Sequence, residues 1–234
     1  MASYAQEIEQ TVTAEIMNHR TRVGIERRQK MRMRLIESAL LVFAEKGVDA
    51  SVIDDVIVAA EVSRGTFYNY FRTTAELLAA VGELLGNEMM VLIEGVVGDL
   101  ENPVERLASG LRIFLHTART YPHFASFIWR AGFNAASAGH LVYVYLPRHI
   151  GESMARGSFH VATAEVALDV IAGVTLVAIF GLSTRTVAVD YPEQMVLHMM
   201  LALGLPRQEA DRLMSLPLPA ITLPAGSLLV RAHG

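Results

Sequence analysis

The sequence predicts an all-α protein with a small N-terminal three-helix unit followed by a larger helical domain. Apolar residues recur at intervals of three and four along most of the 234 residues, and helix-capping signals separate these runs. No segment has the alternating pattern and the residue types of a β-strand. Apolar residues make up 52% of the chain, which is enough for a sizeable core.

The N-terminal unit is predicted from three short helices and their caps. Leu35, Ile36, Ala39, Leu40 and Phe43 form one apolar stripe. A glycine that suits the left-handed position follows this stripe. Capping residues predict the starts of the next three helices, at Ser51, Ser63 and Thr73.

Longer helices are expected beyond residue 75, with ends marked by proline and glycine. The predicted spans are 103–119, 122–134, 141–156, 163–186, 192–203 and a short helix after Pro206. Residues 135–140 are predicted to form a loop, and Pro147 should kink or divide its helix. Three prolines between residues 217 and 226 predict an extended C-terminal tail.

The charge distribution is uneven although the net charge is only −4. Residues 20–72 carry ten basic and seven acidic side chains, and seven of the 20 basic residues lie in 19–34. A solvated charged helix explains this pattern, and so does a surface for phosphate groups. Charge alone leaves both interpretations open.

Composition argues against several other classes of protein. The chain has no cysteine, which excludes disulfides and thiol catalysis. The sequence contains no HExxH motif, no serine elbow and no phosphate-binding glycine loop. We therefore expect no metal, no cofactor and no enzymatic activity. The weaker alternative is an enzyme built on a helical scaffold. The longest apolar run, 170–182, is too short to span a bilayer and the N-terminus lacks a signal sequence, so a cytoplasmic protein is expected.

The stretch EVSRGTFYNYF, residues 61–71, indicates the function of the N-terminal unit. On a helix, Val62, Phe67 and Phe71 turn inward. A glycine inside this helix costs about 1 kcal/mol, which makes sense if a partner must approach closely. Arginine, asparagine and threonine are suited to base edges, and tyrosine hydroxyls to phosphates. The side chains left outward are therefore those of the second helix of a DNA-binding helix-turn-helix: Arg64, Thr66, Tyr68, Asn69 and Tyr70.

Residues 34–81 closely resemble the DNA-binding region of TetR-type transcriptional regulators, most clearly in FAEKG, VSRGTFYNYF and AELL. The resemblance implies an all-helical homodimer that binds a double-stranded palindromic operator and is released by a small effector. It also implies that base-facing residues are Arg64, Gly65, Thr66 and Asn69, with a phosphate contact as the alternative for Arg64. The residues implied to hold the phosphate backbone are Tyr68, Tyr70, Ser51 and Thr73.

Two residues depart from the pattern of that family. Glu61 stands where the turn usually has glycine, and a left-handed glutamate would cost about 1–2 kcal/mol. Thr74 stands where a lysine commonly contacts phosphate. The basic stretch 20–34 would compensate if it reached the DNA backbone or the minor groove.

The segment 114–145 is rich in aromatic residues and lies where the resemblance places an effector cavity. Such cavities are mostly apolar with a few directed polar groups, although ordinary helical core is the alternative for each residue. We expect a largely hydrophobic or aromatic effector in contact with His116, Phe127, Trp129, Arg130, Phe133, Tyr143, His149 and Phe180. A regulator that binds DNA without an effector is the alternative.

The helices near 163–186 and 192–203 are expected to form the dimer interface. Small residues between 172 and 181 would allow helices to approach closely, and Met195, Met199 and Met200 would fill gaps across the contact. An intrachain core is the alternative. The predicted domains are an N-terminal extension with a basic arm (1–30), a helix-turn-helix domain (31–75), an effector-binding and dimerisation domain (76–215) and a tail (216–234).

Overall fold

Helix α1 extends from Ala2 to Lys46, and the described part of the chain contains helices and no strand. The computed structural model describes residues 2–48, 52–132 and 141–231. In α1 the side chains are described from residue 22 onward. The other helices are α2 Val52–Ala59, α3 Arg64–Tyr68, α4 Thr74–Val97, α5 Pro103–Thr120, α6 Pro122–Ala131, α7 Val142–Ala155, α8 Ala164–Thr184, α9 Tyr191–Ala202, α10 Arg207–Ser215 and α11 Leu228–Arg231. The predicted all-α fold is confirmed.

The N-terminal unit is built from the second half of α1 with α2, α3 and the start of α4. Leu40, Phe43, Val56 and Phe67 are fully buried in its core. Lys46 Nζ donates to a carboxylate oxygen of Asp55 at 2.7 Å, which joins the end of α1 to α2. This hydrogen bond is the main cause of the raised pKa of Lys46. The stripe predicted from residue 35 onward therefore faces the interior.

The C-terminal domain is arranged around α5, which contacts α4, α6, α7, α8, α9 and α10. This helix starts as predicted, because the Asn102 side chain accepts a hydrogen bond from Val104 N at 3.0 Å and Pro103 occupies the first helical position. Its side chains are buried on nearly every face, including those of Arg106 and Arg112. Polar groups on α5 must therefore find partners inside the protein.

Two helices continue through positions at which the sequence suggests a change, residue 30 as a domain boundary and Pro147 as a kink or a division. The extension and the first helix of the N-terminal unit form one helix, so α1 crosses the expected boundary at residue 30. Pro147 lies inside the continuous helix α7 and does not divide it. Proline removes one helical hydrogen bond, and the packing of α7 against α5 and α8 outweighs that loss.

The tail departs from the prediction at its end. Residues 217–224 are extended, but α11 follows, and its residues Leu228 and Leu229 are buried. Leu228 N donates to Glu88 Oε2 of α4 at 3.0 Å, and Arg231 forms an ion pair with Glu37 of α1. The prediction of a fully extended tail is wrong because its last apolar residues pack against the helices of the core.

Helix α8 is longer and less buried than the 13-residue apolar run suggests. It spans 21 residues with a mean hydropathy of 2.2 over its most apolar window, of which 28% is buried. By length and composition it could cross a membrane, but buried helices of globular proteins meet the same criterion. Val166 and Val177 are 46% and 56% exposed. One apolar face of α8 therefore lacks a partner within the described part of the monomer.

Candidate functional site

The recognition segment, residues 61–71, has its phenylalanines in the core and most of its polar side chains at the surface. Helix α3 begins after Ser63, whose Oγ accepts a hydrogen bond from Thr66 N at 3.0 Å. Phe67 and Phe71 have relative exposures of 0% and 3%. Of the predicted DNA-binding residues in this segment, Thr66 and Tyr70 are half-buried, whereas Arg64, Gly65, Tyr68 and Asn69 are exposed. Their contacts with bases or phosphates stay predictions.

The turn before α3 contains the unusual Glu61 in a left-handed conformation, with φ +50°. Val62 N donates to Ile57 O at 3.2 Å across this turn. The carboxylate accepts a hydrogen bond from Arg34 Nη2 at 2.8 Å. The strain expected from the sequence is present, and α1 supplies a positive charge beside the negative one.

Two features of α3 bear on how it would meet DNA. Arg64 forms an ion pair with Asp54 of α2, in which both side chains are mostly exposed. Because exposed pairs contribute little, Arg64 can exchange this partner for a base or a phosphate. A Cβ placed on Gly65 would meet only Ser63 Oγ, at 3.9 Å. The fold therefore leaves open space beside this glycine.

The start of α4 is held by two hydrogen bonds that resemble a capping box, except that the second one involves Arg72 N, one residue before the cap Thr73. Thr73 Oγ1 accepts a hydrogen bond from Glu76 N at 3.1 Å, and Glu76 Oε2 accepts one from Arg72 N at 2.7 Å. Thr73 is exposed and so is available to a phosphate. Ser51, the predicted phosphate contact at the start of α2, lies outside the described residues.

A groove separates α1 from the recognition segment. Gly24, Arg27, Arg28 and Met31 line one side of it, and Thr66, Asn69 and Tyr70 line the other. The guanidinium carbon of Arg28 lies 5.9 Å from the ring centroid of Tyr70, and that of Arg32 lies 5.4 Å from the ring centroid of Phe71. The basic stretch is therefore next to the predicted base-reading face.

The predicted effector residues do not form one cluster. His116 Nε2 lies 2.7 Å from a carboxylate oxygen of Glu193, which joins α5 to α9. Arg112, close to the same carboxylate, donates to the carbonyl oxygens of Leu213 and Leu216 at 3.2 and 3.0 Å. His116 therefore has a partner within the protein.

His149 lies elsewhere, in a buried polar network between α4, α5 and α7. Its Nδ1 accepts a hydrogen bond from Arg106 Nε at 3.2 Å, so the other ring nitrogen carries a proton. That Nε2 donates to Glu94 Oε1 at 2.7 Å. Arg106 also donates to Leu100 O at 2.6 Å and pairs with Glu152. The hydrogen-bonding capacity of the imidazole is therefore used within the protein.

Two of the aromatic candidates in the described residues contact each other: the rings of Trp129 on α6 and Phe180 on α8 have centroids 4.2 Å apart and planes tilted by 47°. Phe127 is fully buried and contacts Phe43 of α1, with centroids 6.2 Å apart. Arg130 and Tyr143 are exposed. Phe133 lies outside the described residues.

The sequence did not predict the buried arginines Arg106 and Arg112 of α5, nor their half-buried neighbour Glu94 of α4. Helical periodicity assigns charged residues to the solvent face of a helix, whereas α5 is covered on nearly all sides. Only the contacts between helices could show that these charges are inside. The residues that the structure describes contain no group of three or more side chains suited to a metal ion.

Two family models match the chain. The model of bacterial regulatory proteins of the tetR family matches residues 35–81, which include the recognition segment. The model of a tetracyclin repressor-like C-terminal domain matches residues 102–215. Together they cover the N-terminal unit and the bundle around α5.

Individual proteins are similar over different lengths. The HTH-type transcriptional repressor DhaR from Mycobacterium sp. (strain GP1) is 30% identical over 91 residues, or 38% of this chain and 46% of DhaR. The match therefore spans less than half of that relative. The crystal structure of RolR in complex with resorcinol is 27% identical, with a TM-score of 0.64 over 85% of this chain and 100% of that chain. A gamma-butyrolactone receptor shares the fold at 16% identity and a TM-score of 0.51, over 88% and 98% of the two chains.

Proposed function

The chain belongs to the tetR family of bacterial regulatory proteins, and we propose that it represses transcription as a homodimer on a palindromic operator. It is a transcriptional regulator with a helix-turn-helix, not an enzyme. The observation that carries the proposal is the recognition segment, which exposes Arg64, Tyr68 and Asn69 above the buried Phe67 and Phe71. Binding to chromosomal DNA requires a cytoplasmic location.

In this proposal α3 enters the major groove. Arg64 and Asn69 read base edges, because a guanidinium matches guanine and an amide matches adenine. The Tyr68 hydroxyl and the N-terminus of α4 at Thr73 hold phosphates and thereby set the register. Gly65 allows the backbone of α3 to approach the DNA closely.

The dimer is proposed to form through α8 and α9, as a bundle of two helices from each subunit. Val166, Val170, Gly173 and Val177 follow one face of α8 and are exposed or half-buried in the monomer. An apolar face of this length is a typical interaction surface. Met199 and Met200 are fully buried within the chain, so they support the intrachain core and not the contact between subunits.

The proposed effector is a small aromatic molecule bound near Trp129 and Phe180. RolR, which this chain resembles at 27% identity, was crystallised with resorcinol. The Trp129–Phe180 pair offers a stacking surface, with Arg185 over the Phe180 ring at 5.9 Å as a directed polar group. Such a combination suits a hydroxylated aromatic ring.

Helix α6 is the proposed link between effector and DNA. Trp129 on this helix contacts α8, and Phe127, two residues earlier, contacts Phe43 of α1. A ligand that favours another position of α6 would thus move α1 and change the distance between the two recognition helices of the dimer. Binding to successive major grooves requires this distance to be about 34–36 Å. Operator and effector must then weaken each other's binding by the same factor.

The second candidate is a DNA-binding regulator without an effector. One observation favours it, since two of the predicted polar effector contacts, His116 and His149, already bind carboxylates of the chain, Glu193 and Glu94. Ligand binding would have to displace these partners or use other groups. The two candidates share the DNA-binding mechanism and differ only in the C-terminal domain.

The DNA-binding part is tested by selecting duplexes from a random library with the purified protein and measuring the affinity of the selected sequence. We expect a palindrome bound by one dimer. An Asn69→Ala variant selects a more degenerate sequence, whereas Gln208→Ala, an exposed substitution on α10, serves as the control. Failure of the wild-type protein to enrich any sequence would contradict the proposal.

The effector part is tested through Trp129, the only tryptophan in the chain. Titration with resorcinol should change the intrinsic fluorescence in a saturable way and weaken operator binding over the same concentration range. Replacing Phe180 with leucine removes the ring that Trp129 contacts and should weaken both responses. A saturable fluorescence change with unaltered operator affinity would mean that the ligand binds without regulating DNA binding. If neither the fluorescence nor the operator affinity changes, the second candidate is favoured.

A further inference from the structure

The groove between α1 and the recognition segment has features that the family resemblance does not explain. The residues on its α1 side, Gly24, Arg27, Arg28 and Met31, are spaced three, four and seven apart and so form one face of the helix. We name this face the extension face. Since α1 is continuous to Lys46 and its second half is anchored in the core, the extension face lies beside α3.

The charge on this part of α1 is divided between two faces. Residues 22–34 contain six basic side chains and one acidic side chain. The acidic one, Glu26, lines a different groove on the other side of α1, together with Lys30 and Arg34. The charged side chains on the extension face are both arginines, and Arg27 and Arg28 form no ion pair with the described residues.

The protein itself makes little use of this part of α1. Residues 22–30 are exposed or half-buried, and Ile25 is 54% exposed. A Cβ on Gly24 would meet nothing within 4 Å, so the groove is open at that point. A charged helix that buries almost nothing contributes little to the stability of the monomer. Its exposed position next to α3 therefore points to a partner.

We propose that the extension face is a second DNA-contacting wall, on which Arg27 and Arg28 hold the phosphodiester backbone of one strand. The inference rests on the proposed DNA-binding function and extends it to the α1 side of the groove. Arg28 lies over the ring of Tyr70, so its guanidinium and the Tyr70 hydroxyl can donate hydrogen bonds to neighbouring phosphate oxygens. Double-stranded DNA fits this surface because its opposite wall is the base-reading face itself.

This wall accounts for a departure of the sequence from its family. Thr74 supplies no positive charge at the start of α4, where a lysine commonly contacts phosphate. Arg34 is also engaged, since it neutralises Glu61. Arg27 and Arg28 provide the cationic contacts that these two positions lack. They do so from the opposite side of the recognition segment.

The test compares two double substitutions that remove the same charge from opposite faces of α1. The variant with Arg27→Ala and Arg28→Ala removes both positive charges from the extension face. The variant with Arg22→Ala and Lys30→Ala removes two positive charges outside the groove. For each protein the affinity for the selected operator duplex is measured as a function of salt concentration. Loss of two phosphate contacts per subunit should reduce the log–log slope by about 3.6 for a dimer.

We expect the slope to fall for the first variant and to stay near the wild-type value for the second. Equal changes in both variants would mean that only the overall charge matters, and no change in either would mean that DNA does not reach this helix. Both results overturn the inference while leaving specific binding by the wild-type protein intact. If the wild-type protein binds no duplex selectively, the proposed function fails instead.

Folding is controlled in the same experiment. Because these side chains are exposed, the melting temperature should not change. Should it fall, the conservative variant Arg27→Lys with Arg28→Lys keeps the charges and should retain the wild-type slope. A reduced slope in that variant, with an unchanged melting temperature, would contradict a contact based on charge.

Discussion

Arg34 Nη2 lies 2.8 Å from Glu61 Oε2, so a residue of α1 neutralises the acidic side chain in the turn that precedes the recognition segment. The glutamate also holds a φ of +50°, which non-glycine residues rarely adopt. The turn thus carries both backbone strain and a negative charge next to the expected DNA surface.

Replacing Glu61 with glycine should relieve this strain and release Arg34. We expect the free energy of unfolding to rise by about 1 kcal/mol, because the exposed ion pair contributes less than the left-handed conformation costs. Operator affinity should also rise, since a negative charge leaves and a positive one becomes free. Chemical denaturation and fluorescence anisotropy check these outcomes, and a clear loss of stability would show that the ion pair dominates.

Replacing Gly65 with alanine should separate folding from DNA binding. The new methyl group has space in the protein, and helix propensity favours alanine by up to about 1 kcal/mol. Operator affinity should nevertheless fall at least tenfold, because the methyl group blocks close approach of DNA. Gly95 of α4 also has open space, and Gly95→Ala is the matched control with unchanged affinity. Unimpaired binding by Gly65→Ala would place the DNA farther from α3.

The side chains of the recognition segment should differ in what they contribute. Asn69→Ala should weaken binding at particular base pairs, because an amide that reads a base edge is lost. Tyr68→Phe should weaken binding to all sequences alike, since phosphates carry no base identity. Competition binding with single-base operator variants distinguishes the two. Uniform weakening in Asn69→Ala would reassign this residue to the backbone.

His149→Ala should destabilise the protein strongly. The substitution leaves Glu94 and Arg106 without a shared partner in a buried site, and removing one member of such a network costs about 3–5 kcal/mol. Gln208→Ala, on the exposed face of α10, should leave the melting temperature unchanged. A variant at 149 that keeps its stability but loses its resorcinol response would favour a ligand contact over the structural role.

Leu228→Ala tests the packing of the tail. Its side chain is fully buried in α11, so truncation should cost about 2–5 kcal/mol. Val230→Ala, two residues later and 40% exposed, should change stability by less than about 0.5 kcal/mol. Calorimetry or denaturant titration of both variants measures these changes in stability. Equal, small effects would mean that α11 is not docked in solution.

Features that depend on neighbours in the sequence were predicted well. The caps at Ser63, Thr73 and Asn102 act within three residues of themselves, so the sequence around each one contains the partners it needs. The inward and outward sides of the recognition segment follow from helical spacing in the same way. The family resemblance rested on these local features, and the family models confirm it.

Features that depend on contacts between distant segments were not predictable. The ion pair of Arg34 with Glu61 joins residues 27 apart, and the hydrogen bond between Arg106 and His149 joins residues 43 apart. The predicted effector residues share an aromatic composition, but α5, α6, α7 and α8 carry them to different places. Helical periodicity predicts which side of a helix is apolar, whereas the packing of the helices against one another determines which polar groups meet.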